Sequence, residues 1–396
     1  MLKPTALFLT PEPPYPSIGG GPLRSASLLE YLVQHYLVDV IVFRQPGQAD
    51  PRDVFPAQNV RELHVLDLPF HSRSFQARAL RNGIRYLRNR PPLLDRFSGF
   101  ACSLERLVSG RQYEIGIIEH FWCAPYVEQL RPSCQKLVID MHNIESKWHE
   151  RLTRISTSGT AMAHNRFALA YRTLERMLLP QFDVVLVTSR ADRDLVTPFA
   201  SPATVTIYPN ALPYMPRPES GLPRKVQDFS IVFSGNLEYE PNISAVRFFK
   251  RKIWHLLRNR WPGLTWEIIG KNPHAIASIV QGDSSIHLTG PVPDAIKAIA
   301  RSQVAVVPLL AGSGTRIKIL EAWAAAVPIV STSLGAEGLE FVSGEDLLIA
   351  DDPVTFAEAV SNLLESGGER TRVGEAGRQL YESSYTWQAA WRNLMF

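Results

Sequence analysis

Cysteine, lysine and long apolar runs are scarce in this chain of 396 residues, and each scarcity excludes something. The three cysteines, Cys102, Cys123 and Cys134, cannot all pair with one another and lack metal-ligand spacing. They read as the free thiols of a cytoplasmic protein, which excludes a disulfide scaffold. No apolar run approaches the roughly 20 residues of a membrane-spanning helix; even 304–330 is broken by Arg316, Lys318 and Glu321. The chain opens on strand-like Thr5–Thr10 without a cationic segment and long apolar core, so no secretory leader is expected. Charge of one sign is also in short supply. Lys and Arg number 42 against 38 Asp and Glu, and the net +4 is too small to point to nucleic acid.

Nine lysines stand against 33 arginines, and none lies between Lys3 and Lys136. Arginine grips phosphates and carboxylates bidentately, which suits anionic ligands; a compositional bias of the genome explains the same counts. Either way, a lysine inside a motif gains in meaning. The remainder is ordinary: 45% hydrophobic and 20% charged residues describe a globular protein with a full core. At roughly 150 residues per domain the length predicts two or three domains.

Short β-rich apolar runs alternate with helical patterns along nearly the whole chain. In the first half they are Thr5–Thr10, Leu37–Phe43, Val60–Leu66, Tyr113–Ile118, Lys136–Asp140, Asp183–Thr188 and Thr204–Tyr208. They are too apolar to leave one face in water, as strands covered by helices on both sides would be. This alternation predicts parallel sheets in an α/β fold. The segment 212–228, with four prolines and Gly221 among polar residues, has no usable period and reads as a crossing between domains. The series restarts with Phe229–Phe233, Thr265–Ile269, Ser285–Leu288, Gln303–Val307, Pro328–Thr332 and Asp346–Ala350. The expected organisation is two doubly wound domains, 1–214 and 229–375, joined by a linker at 215–228. The stretch 376–396, with Tyr385, Trp387, Trp391 and Phe396 at helical spacing, is expected to form a helix lying back on the first domain.

Open α/β sheets bind ligands at the carboxyl ends of their strands, so the loops there carry the candidates. The strongest runs from Ala311 to Ala322, Ala-Gly-Ser-Gly-Thr-Arg-Ile-Lys-Ile-Leu-Glu-Ala. Gly312 and Gly314 admit a ligand close to the backbone, and the helix start offers free N–H groups to an anion. Arg316 and Lys318 place two cations where the helix dipole disfavours them. A diphosphate would supply the missing partner; a solvated helix start is the plainer reading. Glu321, one turn deeper, can hold sugar hydroxyls or pair with Lys318.

With these residues in place the chain resembles the family 4 glycosyltransferases. The stretch 312–322 followed by Val-Pro-Ile-Val-Ser-Thr at 327–332 is similar to that family's donor-site motif. Further matches follow in the family's order: Gly19-Gly20-Gly21, Asp140-Met141-His142-Asn143, Thr188-Ser189, Tyr208-Pro209-Asn210, Phe233-Ser234-Gly235 and Leu288-Thr289-Gly290-Pro291-Val292. The resemblance implies a GT-B fold, two facing Rossmann-like domains, and a retaining transferase that needs no metal or other cofactor. Its donor would be a nucleotide-diphosphate sugar, and its acceptor a glycan or lipid-linked hydroxyl, in polysaccharide or glycolipid biosynthesis. It further implies that Glu321 holds the ribose, that His142 sits beside the donor sugar, and that the donor touches Gly20, Gly21, Gly235, Val292, Gly314 and Thr315. The family's first motif carboxylate falls at Ser313, and its diphosphate-holding Arg and Lys fall at Asn236 and Asn242. Arg316 and Lys318 are therefore expected to supply the missing charge, in catalytic roles beside His142. The leaving phosphate would help deprotonate the acceptor, with the protein positioning the groups and stabilising the departing charge.

Competing readings remain at this level. An epimerase or hydrolase on the same fold would act on the donor without an acceptor, and a non-catalytic nucleotide-binding scaffold would suit the absent carboxylate at Ser313. Glu145 either orients His142 or caps the next helix. Glu119 and His120 either face the acceptor or serve the structure. Arg24 stands where a third glycine would complete a dinucleotide fingerprint. Asp192-Arg193-Asp194 reads as an acidic helix start after the N-cap Ser189. Between Asp67 and Asp95 there is no acidic residue but there are Arg73, Arg78, Arg81, Arg85, Arg88 and Arg90, with Phe75, Leu80, Ile84 and Leu87 at helical spacing. That helix is either a solvated face or a peripheral contact with anionic lipid at the inner face of a membrane.

Overall fold

The computed structural model describes residues 3–56, 60–72, 74–155, 158–218, 229–311, 316–394 and 396. The chain divides into two compact units, Met1–Asn210 with Trp391–Phe396, and Ala211–Ala390.

The first unit is built on seven parallel strands: β1 (Thr5–Thr10), β2 (Leu37–Arg44), β3 (Glu62–Asp67), β4 (Tyr113–Glu119), β5 (Cys134–Asp140), β6 (Val184–Val187) and β7 (Thr204–Ile207). Their order is β3-β2-β1-β4-β5-β6-β7. β1 registers Thr5 on Leu37 of one neighbour and Ala6 on Ile115 of the other. The middle strands are buried on both faces, as parallel strands between helical layers must be. Phe43 at the end of β2 packs edge-on against Phe97 and Phe100 at centroid distances of 5.4 and 5.0 Å. The order reverses between β1 and β4, which opens a crevice at their carboxyl ends. The Gly20–His35 helix starts in that crevice and Arg24 is its fifth residue. At the far side, Ser189 caps the Arg190–Ala200 helix by accepting from the Asp192 amide, which accounts for the Asp192-Arg193-Asp194 sequence.

The second unit repeats the plan with β8 (Ser230–Ser234), β9 (Thr265–Ile269), β10 (Ile286–Gly290), β11 (Val304–Val307), β12 (Ile329–Ser331) and β13 (Leu348–Ile349). All pairs are parallel, in the order β10-β9-β8-β11-β12-β13. Here the reversal lies between β8 and β11. A buried aromatic group, Phe249, Trp254 and Trp266, packs beneath the sheet, with Phe249 and Trp266 centroids 4.6 Å apart. The expected linker is partly visible: Pro213 and Met215 carbonyls accept from Tyr381 and Arg378 at 2.8 Å each, so this segment is anchored within the second unit. Residues 219–228 lie outside the described residues.

The tail is divided rather than a single helix. Gly367–Ser384 forms one helix of the second unit, packed through Gly374 and Gly377 against Ala326 and Trp323. A short helix, Trp387–Trp391, follows. Trp391–Phe396 groups with the first unit. There the Trp391 indole donates to the Ser27 carbonyl at 3.1 Å, and the Tyr36 hydroxyl donates to the Phe396 carbonyl at 3.3 Å.

Among the described residues no helix is long and apolar enough to cross a membrane. The Phe75–Leu87 helix is turned unusually. Arg85 is buried against Asp95 at 2.8 Å, while Phe75 and Leu87 are 85% and 77% exposed. Leu80 and Ile84 are exposed as well, so the apolar face looks outward and part of the arginine face looks in. Arg73 lies outside the described residues.

Candidate functional site

In the second unit the candidate residues gather at the reversal between β8 and β11. β8 ends at Ser234 and delivers Gly235 at φ 152°, a backbone state that side chains rarely adopt. A Cβ on Gly235 would lie 2.8 Å from Asn242 Nδ2 and 3.1 Å from Lys318 Nζ, so the glycine makes room for both. The chain turns through Asn236, whose carbonyl accepts from Asn242 Nδ2 at 2.7 Å. Lys318, near the start of the Ile317–Ala324 helix, donates to Asn242 Oδ1 at 2.6 Å and lies 4.3 Å above the Phe233 ring. One turn on, Glu321 accepts from the Ser234 hydroxyl at 3.3 Å. Among the described residues Lys318 and Glu321 form no ion pair, so the simple helix pairing is not what holds them.

The electrostatics of this group are poised. Burial, and then the nearby Arg316, lower the Lys318 ammonium to about 7 against the partial opposition of Glu321. Burial raises the Glu321 carboxyl to about 7, while the Ser234 hydrogen bond and Lys318 act the other way. Both groups change charge near neutrality, and each would gain from a ligand that completes its partners. Arg316 is placed differently from Lys318. It is 5% exposed, donates to the Leu334 carbonyl at 2.8 Å and approaches Glu337 at 3.7 Å. Val292 sits in the turn after β10, between Gly290 at φ 69° and the N-cap Asp294. Gly312, Ser313, Gly314 and Thr315 lie outside the described residues.

The first unit holds its own cluster, in the crevice between β1 and β4. Arg24 binds Asp140 at the end of β5 through two hydrogen bonds of 2.7 and 2.5 Å, and donates to the Tyr208 carbonyl and Asn210 Oδ1 at 2.7 and 3.0 Å. His142, two residues past β5, places Nε2 2.6 Å from Glu119 Oε2 and 3.3 Å from Asp140 Oδ2. Ser25 donates to the same Glu119 oxygen at 2.6 Å. Burial works to lower the His142 pKa, but Glu119 and Asp140 overcome it and hold the imidazolium up to about 9. His120 is pressed the other way, well below its ordinary value, by burial and by the charges of His142 and Arg24.

Three rings form a stack: Trp122 on His120 at 4.2 Å, and His120 on His142 at 3.5 Å between centroids. Glu119, His120 and His142 could each offer a metal ligand atom, all within 4.8 Å of one another. Stacking, however, sends the in-plane lone pairs of the two imidazoles side by side instead of toward one point, and His142 Nε2 is already held by two carboxylates. The arrangement suits holding a proton and a ring orientation better than a metal. Glu145 opens the Glu145–Ile155 helix, and its carboxyl accepts from the Trp122 indole at 3.0 Å. Burial and then Glu175 raise its pKa to about 8. Gly20 opens the first helix and Gly21 follows, where a Cβ would lie 2.2 Å from Glu12 Oε1. The Glu12 carboxyl thus lies against this helix start.

Sequence reasoning missed Arg24, which it weighed only as a departure from a glycine pattern. The signal was there: an arginine five residues into a small-residue helix start, in a stretch, 4–135, that lacks lysine. Glu119 was noticed, but its bond to His142 joins loops far apart in sequence and no local spacing reveals it.

Comparison with known proteins bears chiefly on the second unit. Residues 228–366 match the family model described as Glycosyl transferases group 1. An uncharacterised 44.6 kDa protein of the cps region of Klebsiella pneumoniae is 22% identical over 268 residues, 65% of this chain and 67% of that protein. An exopolysaccharide phosphotransferase of Streptomyces coelicolor is 28% identical over 234 residues, 56% of this chain but 24% of that longer protein. Among solved structures, sucrose-phosphate synthase of Thermosynechococcus elongatus superposes with a TM-score of 0.74 at 14% identity, covering 98% of this chain and 96% of the other. HepE of Anabaena, in complex with UDP and glucose, gives 0.66 at 14% identity over 98% and 97%. The fold of the whole chain is that of these proteins.

Proposed function

We propose that this chain, whose second unit is of the group 1 glycosyltransferase family and whose fold is GT-B, transfers a sugar from a nucleoside-diphosphate sugar to a hydroxyl of a glycan or lipid-linked acceptor. The transfer proceeds with retention and requires no metal. The observation that carries this reading is the Lys318 ammonium, held by Asn242 beside Gly235 at the strand reversal, with Glu321 one turn away. Asn236 and Asn242 are neutral, and Lys318, bound to Asn242, brings a cation to their side of the loop set. It neutralises the diphosphate as charge builds on the leaving group. Glu321, freed from its weak bond to Ser234, takes the ribose hydroxyls. Arg316, bound to the loop after β12, fixes the helix start rather than touching phosphate. In the first unit, His142 stays protonated and fixed in orientation by Glu119 and Asp140, and it positions the sugar by hydrogen bonding.

The complex of HepE with UDP and glucose supports a uridine nucleotide as the first donor to test. The outward apolar face of the Phe75–Leu87 helix, with its arginines, supports peripheral contact with anionic lipid during transfer to a lipid-linked acceptor. The test is calorimetry against UDP, GDP and ADP in EDTA. Binding of one of them, lost in Glu321→Ala, is expected. Silence for all three would sink the donor-site reading.

A further inference from the structure

The first unit contains a cavity of about 500 Å³ that the transfer site does not use. Leu94, Phe97, Ala170 and Leu174 line it with apolar surface, and Trp122 and Tyr126 stand beside them. Its volume falls within the range of small-molecule sites, roughly 300–1,000 Å³. Asn89 and Arg90 lie at its edge. They follow directly on the Phe75–Leu87 helix, whose apolar face looks into solvent. Arg90 is 56% exposed, and its ion pair with Asp95 is long, 3.6 Å, because Arg85 already holds that carboxylate at 2.8 Å. A cation so loosely engaged at the mouth of an apolar pocket fits an amphiphile with an anionic head.

The pocket also shares a wall with the candidate site. The Trp122 ring lies between Phe97, stacked at 5.9 Å and 7°, and His120, stacked at 4.2 Å. The indole that helps line the pocket is thus the outer ring of the stack that ends on His142.

We propose that this cavity binds the hydrocarbon chain of a lipid-phosphate acceptor carrier, with Arg90 on its phosphate. The inference rests on the transferase reading and gives the carrier of the accepting hydroxyl a chemical class: a lipid phosphate to which the acceptor is linked, whose first chain segment leaves the membrane for the protein. The outward apolar helix face delivers the lipid, and the pocket selects it.

The probe is farnesyl phosphate below its micellar concentration, titrated by calorimetry. Saturable one-to-one binding is expected. Ala170→Phe, which fills the floor, and Thr173→Phe, at an exposed position on the rim, should each weaken it about 10-fold or more. Thr173 is on the surface, so the second variant guards against misfolding of the first. Arg90→Glu should weaken farnesyl phosphate about 10-fold while leaving farnesol unchanged. Wild-type affinity in both pocket variants, or partitioning without saturation, would overturn the proposal and leave the helix face as the only lipid contact. Nucleotide binding is titrated in the same samples. Its loss in the wild-type protein strikes the transferase reading, whereas pocket binding stands or falls by the farnesyl titrations alone.

Discussion

At the scale of single residues, the proposed diphosphate contact of Lys318 makes a prediction about protons. Burial lowers its pKa to about 7, which brings the neutral amine within reach near neutral pH. A diphosphate beside it favours the charged form, so binding takes up a proton. Affinity therefore falls as pH rises above about 7, and calorimetry in buffers of different ionisation enthalpy should detect the uptake. Lys318→Met should abolish it; uptake persisting in that variant would place the titrating group elsewhere. His142 shows the opposite displacement. Its folded pKa of about 9 exceeds the ordinary 6.5, so its contribution to stability is full below about 6.5 and is lost as pH rises through about 9. Glu119→Gln removes a partner that raises it. Chemical denaturation between pH 6 and 10 should then show a flatter decline than in the parent, and the His142 resonance should titrate at lower pH.

The positions of His142 and Lys318 were legible because each lies just past a strand's carboxyl end, His142 in the loop after β5 and Lys318 in the first turn of the Ile317–Ala324 helix. Arg24 was not, since its four hydrogen bonds reach Asp140, Tyr208 and Asn210, more than a hundred residues away. The long-range contacts that assign a role leave no trace in local spacing.

At the scale of elements, the runs that read as strands all became strands, with shifts at their ends. β5 begins at Cys134 rather than Lys136, because Tyr113 of β4 registers on Cys134 and draws the pairing outward. β13 shrinks to Leu348–Ile349, where it has a single neighbour, β12. The Gly367–Ser384 helix owes its seating to two glycines. A Cβ at Gly377 would meet Trp323 Cδ1 at 2.2 Å, and the Trp323 indole is held by the Asp346 carbonyl at 2.9 Å, so it cannot yield freely. Gly377→Ala should cost about 1–3 kcal/mol, read as a lower melting temperature. Gly368→Ala, in open space at the start of the same helix, should leave it nearly unchanged. Equal melting of the two variants would show that the close approach is not what seats the helix.

At the scale of the molecule, the Phe75–Leu87 helix sets a surface property that composition concealed. A net charge of +4 spread over 396 residues announces nothing, yet Arg78, Arg81 and Arg88 fall beside exposed Phe75, Leu80, Ile84 and Leu87. Vesicles of phosphatidylglycerol should bind the protein and those of phosphatidylcholine should not. Binding should weaken as salt shortens the screening length, about 8 Å at 0.15 M. Leu80→Ser with Leu87→Ser should lower it about 10-fold or more; unchanged sedimentation with the vesicles would show the face to be merely solvated. The two-unit plan was readable from the alternation of strands and helices. The split of the tail was not, because Tyr385, Trp387, Trp391 and Phe396 keep one spacing while their partners change from one unit to the other.

That split has a consequence in time. The second unit is a single continuous stretch, Ala211–Ala390, but the first is not, since it takes Trp391–Phe396 to cover Tyr31 and Tyr36. During synthesis the segment that emerges first is therefore completed last. Until residue 391 clears the ribosome, the first unit waits with an aromatic patch uncovered, although its other residues were all made before the second unit began. A product truncated before Trp391 would expose that patch.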